Sequence, residues 1–198
     1  MQHAFREHQE RTEVRPRRSA RLNPSPSSSL AFFYGTLMYP SVLRRVIRHD
    51  GSHLNACPAV LPAYIRHKVA HATFPAVIPF EQSRLLIPEE IPMTEQCVRG
   101  VLVRGLTEKD MKFIKSFEGN LYEYVVADVQ PLKQFASLDS NNAVQMDVLA
   151  SDTENNLQSH SPEYLRANVY VWRLPLSDLL PEIWTFEEFE RDALADWM

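Results

Sequence analysis

The chain has 198 residues, of which 44% are hydrophobic and 23% charged, and its formal net charge is −4. This composition is typical of a globular chain with a buried core, and the net negative charge argues against general nucleic-acid binding. No apolar run approaches the roughly 18 residues that span a bilayer. The two cysteines, Cys57 and Cys97, are too few for a disulfide scaffold. We therefore expect a cytoplasmic protein that binds neither nucleic acid nor membrane.

The first 29 residues differ in composition from the rest of the chain. Residues 1–29 contain six arginines, end in a Ser/Pro-rich run, and offer few side chains for a core. We predict a disordered basic tail, followed by one domain over residues 30–198. The basic stretch at 15–21 is either a solvated part of that tail or a patch for localisation or for an anionic surface.

The first half of the domain reads as strands with one helix. An aromatic run predicts a strand over residues 31–36, and a helix follows over about 40–48. Residues 55–71 mix apolar and polar side chains with prolines, as short strands joined by turns do. The apolar segment 74–79 contains prolines, which predict a loop or an edge strand.

A helix between two strands is predicted in the middle of the domain. Residues 98–106 have the alternation of a strand. Thr107 is a predicted N-cap for a helix over about 111–117, and Gly119 is placed to end that helix. Residues 122–129 again alternate like a strand.

The last part of the chain begins with a polar segment. Residues 133–163 are rich in Ser, Asn, Asp and Gln and predict a long loop or insertion, with a possible short strand at 144–149. A strand is predicted over 168–172 and a terminal helix over 184–197. Irregularly ordered strands with few long helices favour the α+β class, with a small mixed or antiparallel sheet or barrel.

One short run, Phe-Tyr-Gly-Thr-Leu-Met at positions 33–38, joins the first strand to the first helix. Gly35 allows a ligand to approach the main chain closely, and Thr36 supplies a hydroxyl. A strand, a glycine turn and a helix start present backbone N–H groups that suit a carboxylate. The alternative is an ordinary strand end.

Glu118 stands at the predicted end of the central helix, directly after Phe117. Partial burial against that aromatic ring would raise the pKa of the carboxyl toward the range useful for proton transfer at neutral pH. The alternative is a solvated surface glutamate, the usual state of this residue type.

Two histidine pairs have the four-residue spacing of helical metal ligands: His49 with His53, and His67 with His71. A turn signal separates the first pair, and the second lies in a segment predicted to be extended. We therefore expect no metal site and no cofactor.

Other catalytic signatures are missing from the sequence. It contains no Gly-x-Ser-x-Gly elbow, no phosphate-binding lysine loop and no dinucleotide fingerprint. Cys57 and Cys97 are interpreted as buried structural thiols, with a nucleophilic role as the alternative.

Six segments in order resemble the gamma-glutamylcyclotransferase-like family, in its branch of plant avirulence-induced and related fungal proteins. They span most of residues 31–197: Phe-Tyr-Gly-Thr-Leu-Met at 33–38, Phe-Pro-Ala-Val-Ile-Pro at 74–79, Val-Arg-Gly-Val-Leu at 98–102, Phe-Glu-Gly-x-x-Tyr at 117–122, Val-Tyr-Val-Trp at 169–172 and Trp-x-Phe-Glu-Glu-Phe at 184–189.

The resemblance implies a small β-barrel of mixed strands flanked by helices. It also implies cleavage of a γ-glutamyl amide into 5-oxoproline and a free amine or amino acid, with Glu118 as the catalytic base. The substrate supplies its own α-amine as the nucleophile, so such a protein needs no catalytic serine or cysteine. The expected substrate-binding residues are Tyr34, Gly35, Thr36, Leu37, Met38, Tyr39 and Tyr122.

The sequence departs from the family pattern after the glutamate, where Tyr124 stands in place of an arginine that the family often carries. This departure, together with the segments predicted to be disordered, favours the alternative of a non-catalytic binding or regulatory module that keeps the pocket. A metal-dependent activity is the third possibility. The leaving amine and the oligomeric state stay open.

Overall fold

The computed structural model describes residues 29–93, 96–138 and 163–192. The predicted tail up to residue 28, most of the predicted insertion, its strand at 144–149 and residues 193–198 lie outside the described residues. The elements in chain order are β1 (Ser29–Phe33), α1 (Pro40–Ile47), β2 (Asn55–Pro62), β3 (Tyr64–Val69), β4 (Pro75–Pro79), α2 (Phe80–Ser83), β5 (Cys97–Leu106), α3 (Glu108–Glu118), β6 (Tyr122–Pro131), β7 (Ala136–Ser137), β8 (Leu165–Trp172), β9 (Leu179–Ile183) and α4 (Phe186–Asp192).

Five strands form a closed barrel in the order β5-β1-β8-β6-β2, because β2 also pairs with β5. The β1–β8 pair is parallel and the other pairs around the barrel are antiparallel. The short strand β7 adds to the edge of β2. The predicted α+β class, with a small mixed-strand barrel flanked by helices, is therefore confirmed.

A second, three-stranded sheet lies beside the barrel in the order β4-β3-β9. The proline-containing segment 74–79 forms the edge strand β4, as its two prolines require, because proline cannot donate a ladder hydrogen bond. This sheet brings Phe74 and Pro75 to the mouth of the cleft described below.

Three apolar clusters of the described residues hold the fold together. One fills the barrel and includes Phe32 and Leu102, a second lies between the barrel and the helices and includes Leu43 and Phe186, and a third packs on the second sheet. At Gly100 the backbone of β5 passes so close to β1 that an added Cβ would lie 2.2 Å from the carbonyl oxygen of Phe33. Glycine is thus required there by close approach of two strands.

Helix α3 begins in a capping box. The Thr107 hydroxyl accepts from the Asp110 backbone N–H, and the Asp110 carboxylate accepts from the Thr107 backbone N–H. His49, just after α1, donates from Nε2 to the same carboxylate at 2.9 Å. Burial alone would raise the Asp110 pKa, but these hydrogen bonds from Thr107 and His49 outweigh burial and lower it. The box therefore fixes α3, whose last residue is Glu118, against α1.

Several predicted boundaries need correction. The first strand ends at Phe33 rather than residue 36, because Thr36–Met38 form a 3-10 turn. Strand β9 was not predicted, and the terminal helix begins at Phe186 rather than Trp184. Among the described residues, no helix is long and apolar enough to cross a membrane.

Candidate active site

The turn between β1 and α1 leaves some of its backbone N–H groups outside its own hydrogen bonds. Within the turn, the Met38 N–H donates to the Gly35 carbonyl oxygen at 2.9 Å, and the Tyr39 N–H donates to the Thr36 carbonyl oxygen at 3.2 Å. The N–H groups of Gly35, Thr36 and Leu37 are therefore not used within the turn, as at the start of any helical segment. Three consecutive donors of this kind can bind a carboxylate.

Met38 and Tyr39 lie away from the cleft. Met38 is buried in the core beside the helices, and its N–H is already bonded within the turn. The Tyr39 hydroxyl donates to Oε1 of Glu190 at 2.7 Å, and its ring stacks on Phe186 with the ring centroids 5.3 Å apart. Of the predicted turn residues, Tyr34, Gly35, Thr36 and Leu37 line the cleft, and Met38 and Tyr39 do not.

Arg66 on β3 fixes the start of the turn. Its Nη1 donates to the Tyr34 carbonyl oxygen at 2.8 Å, and its guanidinium lies 4.5 Å from the ring centroid of Trp184. Trp184 in turn donates from Nε1 to the Thr73 carbonyl at 2.9 Å. This chain of contacts ties the glycine turn to the second sheet.

Glu118 lines the same cleft as Gly35, Thr36 and Leu37. Its side chain is partly buried, with Phe117 beside it, and this burial raises the pKa of the carboxyl to about 7. The glutamate and the glycine turn therefore share one cleft. A carboxyl with this pKa can both accept and return a proton at neutral pH.

Three tyrosines surround the carboxyl group. Burial raises the pKa of the Tyr34, Tyr122 and Tyr170 hydroxyls above the usual range, and the charge of Glu118 raises each further. The Tyr34 hydroxyl donates to the backbone oxygen of Tyr170, and the Tyr122 hydroxyl donates to that of Pro75 at 2.7 Å. All three phenols therefore stay protonated near neutral pH.

The cavity has a volume of about 140 Å³ and is mostly apolar away from the turn and the carboxyl group. Its wall consists of Phe32, Phe33, Tyr34, Gly35, Thr36, Leu37, Phe74, Pro75, Phe117, Glu118, Leu121, Tyr122 and Tyr170. The wall combines main-chain donors with a proton acceptor, so the arrangement can orient a small ligand that carries a carboxylate and an amine beside Glu118.

The first histidine pair does meet a carboxylate. Ligand atoms of His49, His53 and Asp110 lie within 4.8 Å of one another. The Gly51 backbone N–H donates to Nδ1 of His49 at 3.0 Å, so Nε2 carries the proton that it donates to Asp110. Binding a metal would break this bond and loosen the capping box, so we interpret the cluster as a structural link.

His67 and Cys57 are buried, whereas Cys97, also predicted to be buried, is only partly so. The two ring nitrogens of His67 lie 3.0 Å from the Leu180 carbonyl and 2.7 Å from Ser83 Oγ. Burial raises the pKa of Cys57 to about 12 and also raises that of Cys97. Thiols with raised pKa values are poor nucleophiles near neutral pH.

Sequence reasoning missed two residues of the site. Tyr170 comes from strand β8, and it meets Glu118 only because β8 pairs with both β1 and β6. Arg66 looked like an ordinary charged residue on a strand. The alternation in 168–172 could have placed Tyr170 on one face of its strand, but not beside Glu118.

A family model described as "Gamma-glutamyl cyclotransferase, AIG2-like" matches residues 31–186. No curated protein is significantly similar to this sequence.

The chain shares its fold with one solved structure and aligns less well with two others. A protein from Arabidopsis thaliana, known from a solution structure, aligns with a TM-score of 0.53 at 19% identity, covering 87% of this chain and 79% of that one. An AIG2-like protein from Mus musculus gives 0.48 at 15% identity, with 80% and 88% covered. A yeast gamma-glutamyl cyclotransferase described as specific to glutathione gives 0.44 at 16% identity, with 74% and 69% covered.

Proposed function

The chain belongs to the gamma-glutamyl cyclotransferase, AIG2-like family, and on this premise we propose that it converts γ-glutamyl amides into 5-oxoproline and a free amine or amino acid. The observation that carries the proposal is the placement of Glu118, with a pKa raised to about 7, in one cleft with the free N–H groups of the glycine turn. The reaction needs one proton carrier and one carboxylate-binding element, and this cleft supplies both.

Binding would curl the γ-glutamyl group. In this proposal the N–H groups of Gly35, Thr36 and Leu37 hold the α-carboxylate of the substrate, and Tyr34 and Tyr122 close the wall of the cleft. Fixing the carboxylate brings the α-amine toward the γ-carbonyl carbon of the same molecule. Orientation of this kind can lower the barrier by several kcal/mol, on the order of 7–11 in the best cases.

Glu118 would carry the proton. As a carboxylate it takes a proton from the α-amine while the amine nitrogen attacks the γ-carbonyl carbon. The tetrahedral intermediate then collapses, the bond from that carbon to the leaving nitrogen breaks, and Glu118 returns the proton to this nitrogen. The atoms balance without water, metal or cofactor, and the products are 5-oxoproline and the amine.

The leaving group would lie against apolar side chains. Phe74, Phe117 and Leu121 line the cleft and offer an apolar surface to the leaving group. The cytoplasmic location and the plant and fungal branch stay predictions from the sequence. The alternative, a binding module that keeps the cleft without turnover, is favoured by Tyr124, which occupies the position of the family's frequent arginine and is 46% exposed.

The test is release of 5-oxoproline from γ-glutamyl dipeptides, γ-glutamyl amines and glutathione. We expect release by the wild type and a fall of about a hundredfold or more in Glu118→Gln, the scale for losing a general acid–base group. Glu123→Gln is the matched control, because Glu123 is exposed on β6 and does not line the cleft. Binding of these compounds without release by the wild type would favour the non-catalytic module.

A further inference from the structure

Tyr170 contributes a hydroxyl that the fold itself does not use. Its side chain is 5% exposed and lines the cleft. Among the described residues, its Oη is the buried side-chain polar atom that has no hydrogen-bond partner. A buried hydroxyl left without a partner is destabilising, so native structures rarely keep one without a use.

The neighbouring tyrosines do not share this feature. The Tyr34 hydroxyl is committed to the backbone oxygen of Tyr170, and the Tyr122 hydroxyl is committed to that of Pro75. Of the three phenols around Glu118, Tyr170 therefore holds the donor that is still available to a ligand.

Tyr170 is held in place at its ring and at its backbone. It lies edge-on to Tyr124, with ring centroids 5.6 Å apart at 66°, and its backbone oxygen accepts from Tyr34. The hydroxyl position is thus set by packing rather than by a hydrogen bond of its own. A donor fixed in this way can act on charge that develops during a reaction without first reorganising.

We propose that the Tyr170 hydroxyl donates a hydrogen bond to the γ-carbonyl oxygen of the γ-glutamyl group bound in this cleft, an assignment that rests on the function proposed above. In that reaction Glu118 takes a proton from the attacking nitrogen and returns it to the leaving nitrogen. Both nitrogens are attached to the γ-carbonyl carbon in the intermediate. A donor in the wall of the same cleft as Glu118 is therefore suited to the oxygen on that carbon.

The chemistry of the hydroxyl suits this role. Burial, then the charges of Glu118 and Tyr124, raise the pKa of Tyr170, so the phenol remains a donor throughout the working pH range. Negative charge develops on the carbonyl oxygen as the amine attacks. Loss of one such donor typically lowers kcat by about 10²–10³-fold.

The test compares Tyr170→Phe with Tyr124→Phe, which removes the hydroxyl from the adjoining ring on β6. Three quantities are measured: kcat and KM for 5-oxoproline release, the affinity for 5-oxoproline by calorimetry, and thermal stability. For Tyr170→Phe we expect kcat to fall about a hundredfold with KM within about threefold. We expect its affinity for 5-oxoproline, which retains this carbonyl, to fall about threefold to tenfold.

Stability separates this role from a structural one. Because the Tyr170 hydroxyl has no partner within the described protein, its removal should leave the melting temperature unchanged or raise it. Tyr124→Phe should keep kcat, KM and affinity close to the wild type. A lower melting temperature in Tyr170→Phe with unaltered kcat and affinity would overturn the assignment.

The remaining outcomes distinguish the two proposals. If the wild type releases 5-oxoproline and Tyr170→Phe does so equally well, the role of Tyr170 is overturned, but the proposed cyclotransferase activity is supported. If the wild type releases no 5-oxoproline but binds it, weaker binding by Tyr170→Phe would support the donor role while the proposed reaction fails. If the wild type neither releases nor binds 5-oxoproline, the assignment is overturned.

Discussion

The guanidinium of Arg66 donates to the carbonyl oxygen of Tyr34 at 2.8 Å while lying over the ring of Trp184. Tyr34 directly precedes Gly35, so this contact fixes the peptide that leads into the turn. Arg66 belongs to β3 in the second sheet, whereas Tyr34 follows β1 of the barrel. The position of the turn donors thus depends on how the two sheets are joined.

Arg66→Lys is expected to weaken substrate binding. Lysine keeps the positive charge but loses the planar group that both donates to Tyr34 and stacks on Trp184. Losing these contacts is expected to cost about 1 kcal/mol of substrate-binding free energy, which corresponds to a KM about fivefold higher. Arg104→Lys is the control, because Arg104 lies over Phe135 on the barrel and does not line the cleft.

The comparison uses steady-state kinetics with one γ-glutamyl substrate. Equal KM values for the wild type and Arg66→Lys would show that the turn keeps its geometry without this contact.

Two glycines should respond differently to alanine. At Gly100 an added Cβ would lie 2.2 Å from the Phe33 carbonyl oxygen and 2.6 Å from Cζ of Phe32, so β1 and β5 must separate. We expect Gly100→Ala to lower the unfolding free energy by several kcal/mol, as overpacking of a core does, or to prevent folding. Gly119 has open space around it, but its φ of +66° with a ψ of −142° is a conformation nearly confined to glycine, so Gly119→Ala should cost about 1–3 kcal/mol of unfolding free energy from backbone strain alone.

Urea unfolding, or the soluble yield where folding fails, measures both changes. Equal losses for the two variants would contradict the close approach of β1 and β5.

The capping box of α3 should contribute measurably to stability. Thr107→Ala removes the hydroxyl that accepts from the Asp110 backbone N–H. Loss of such a cap typically costs about 1 kcal/mol of unfolding free energy. Thr73→Ala is the comparison, because the Thr73 side chain is exposed. An unchanged unfolding free energy for Thr107→Ala would mean that α3 is held by its packing alone.

Burial of Glu118 should make the protein less stable as the pH rises. Its pKa is about 7 when folded against a usual 4.5, so between these values the folded state binds more protons than the unfolded state. Stability is therefore fully present below about pH 4.5 and falls as the pH rises through 7. The shift corresponds to at most about 3 kcal/mol.

Glu118→Gln keeps the shape and removes the charge. At pH 8 we expect this variant to have the higher unfolding free energy, and at about pH 4.5 we expect little difference. Glu123→Gln, at an exposed position, should match the wild type at both pH values. A Glu118→Gln variant that is less stable than the wild type at pH 8 would mean that the carboxylate is not desolvated.

Local pattern predicted the elements well where local chemistry decides them. Thr107 and Gly119 mark the two ends of α3 because caps are formed by residues within a few positions of each other. Strand β9 escaped prediction because its pairing with β3 joins residues more than a hundred positions apart. Its own sequence, Leu-Leu-Pro-Glu-Ile, carries no alternation that requires a strand.

The same division holds for the candidate site: residues with a distinctive local pattern could be predicted, and residues placed by the order of the strands could not. Gly35 and Glu118 stood out because each has an uncommon local setting, and both line the cleft. Tyr170 reaches the cleft through the order of strands in the barrel, which the sequence of β8 does not encode. Tyr39 belongs to the turn through its backbone, but its hydroxyl binds Glu190 on α4, distant in sequence, and its side chain does not line the cleft.

The most direct test of the account is the pH dependence of kcat/KM for 5-oxoproline release by the wild type. Glu118 must be a carboxylate to accept the proton from the substrate amine, and burial raises its pKa to about 7. We predict that kcat/KM falls about tenfold for each pH unit below this value, with one apparent pKa near 7. A profile that is flat from about pH 5 to 8, or that rises toward acid, would contradict the assignment of Glu118 as the base.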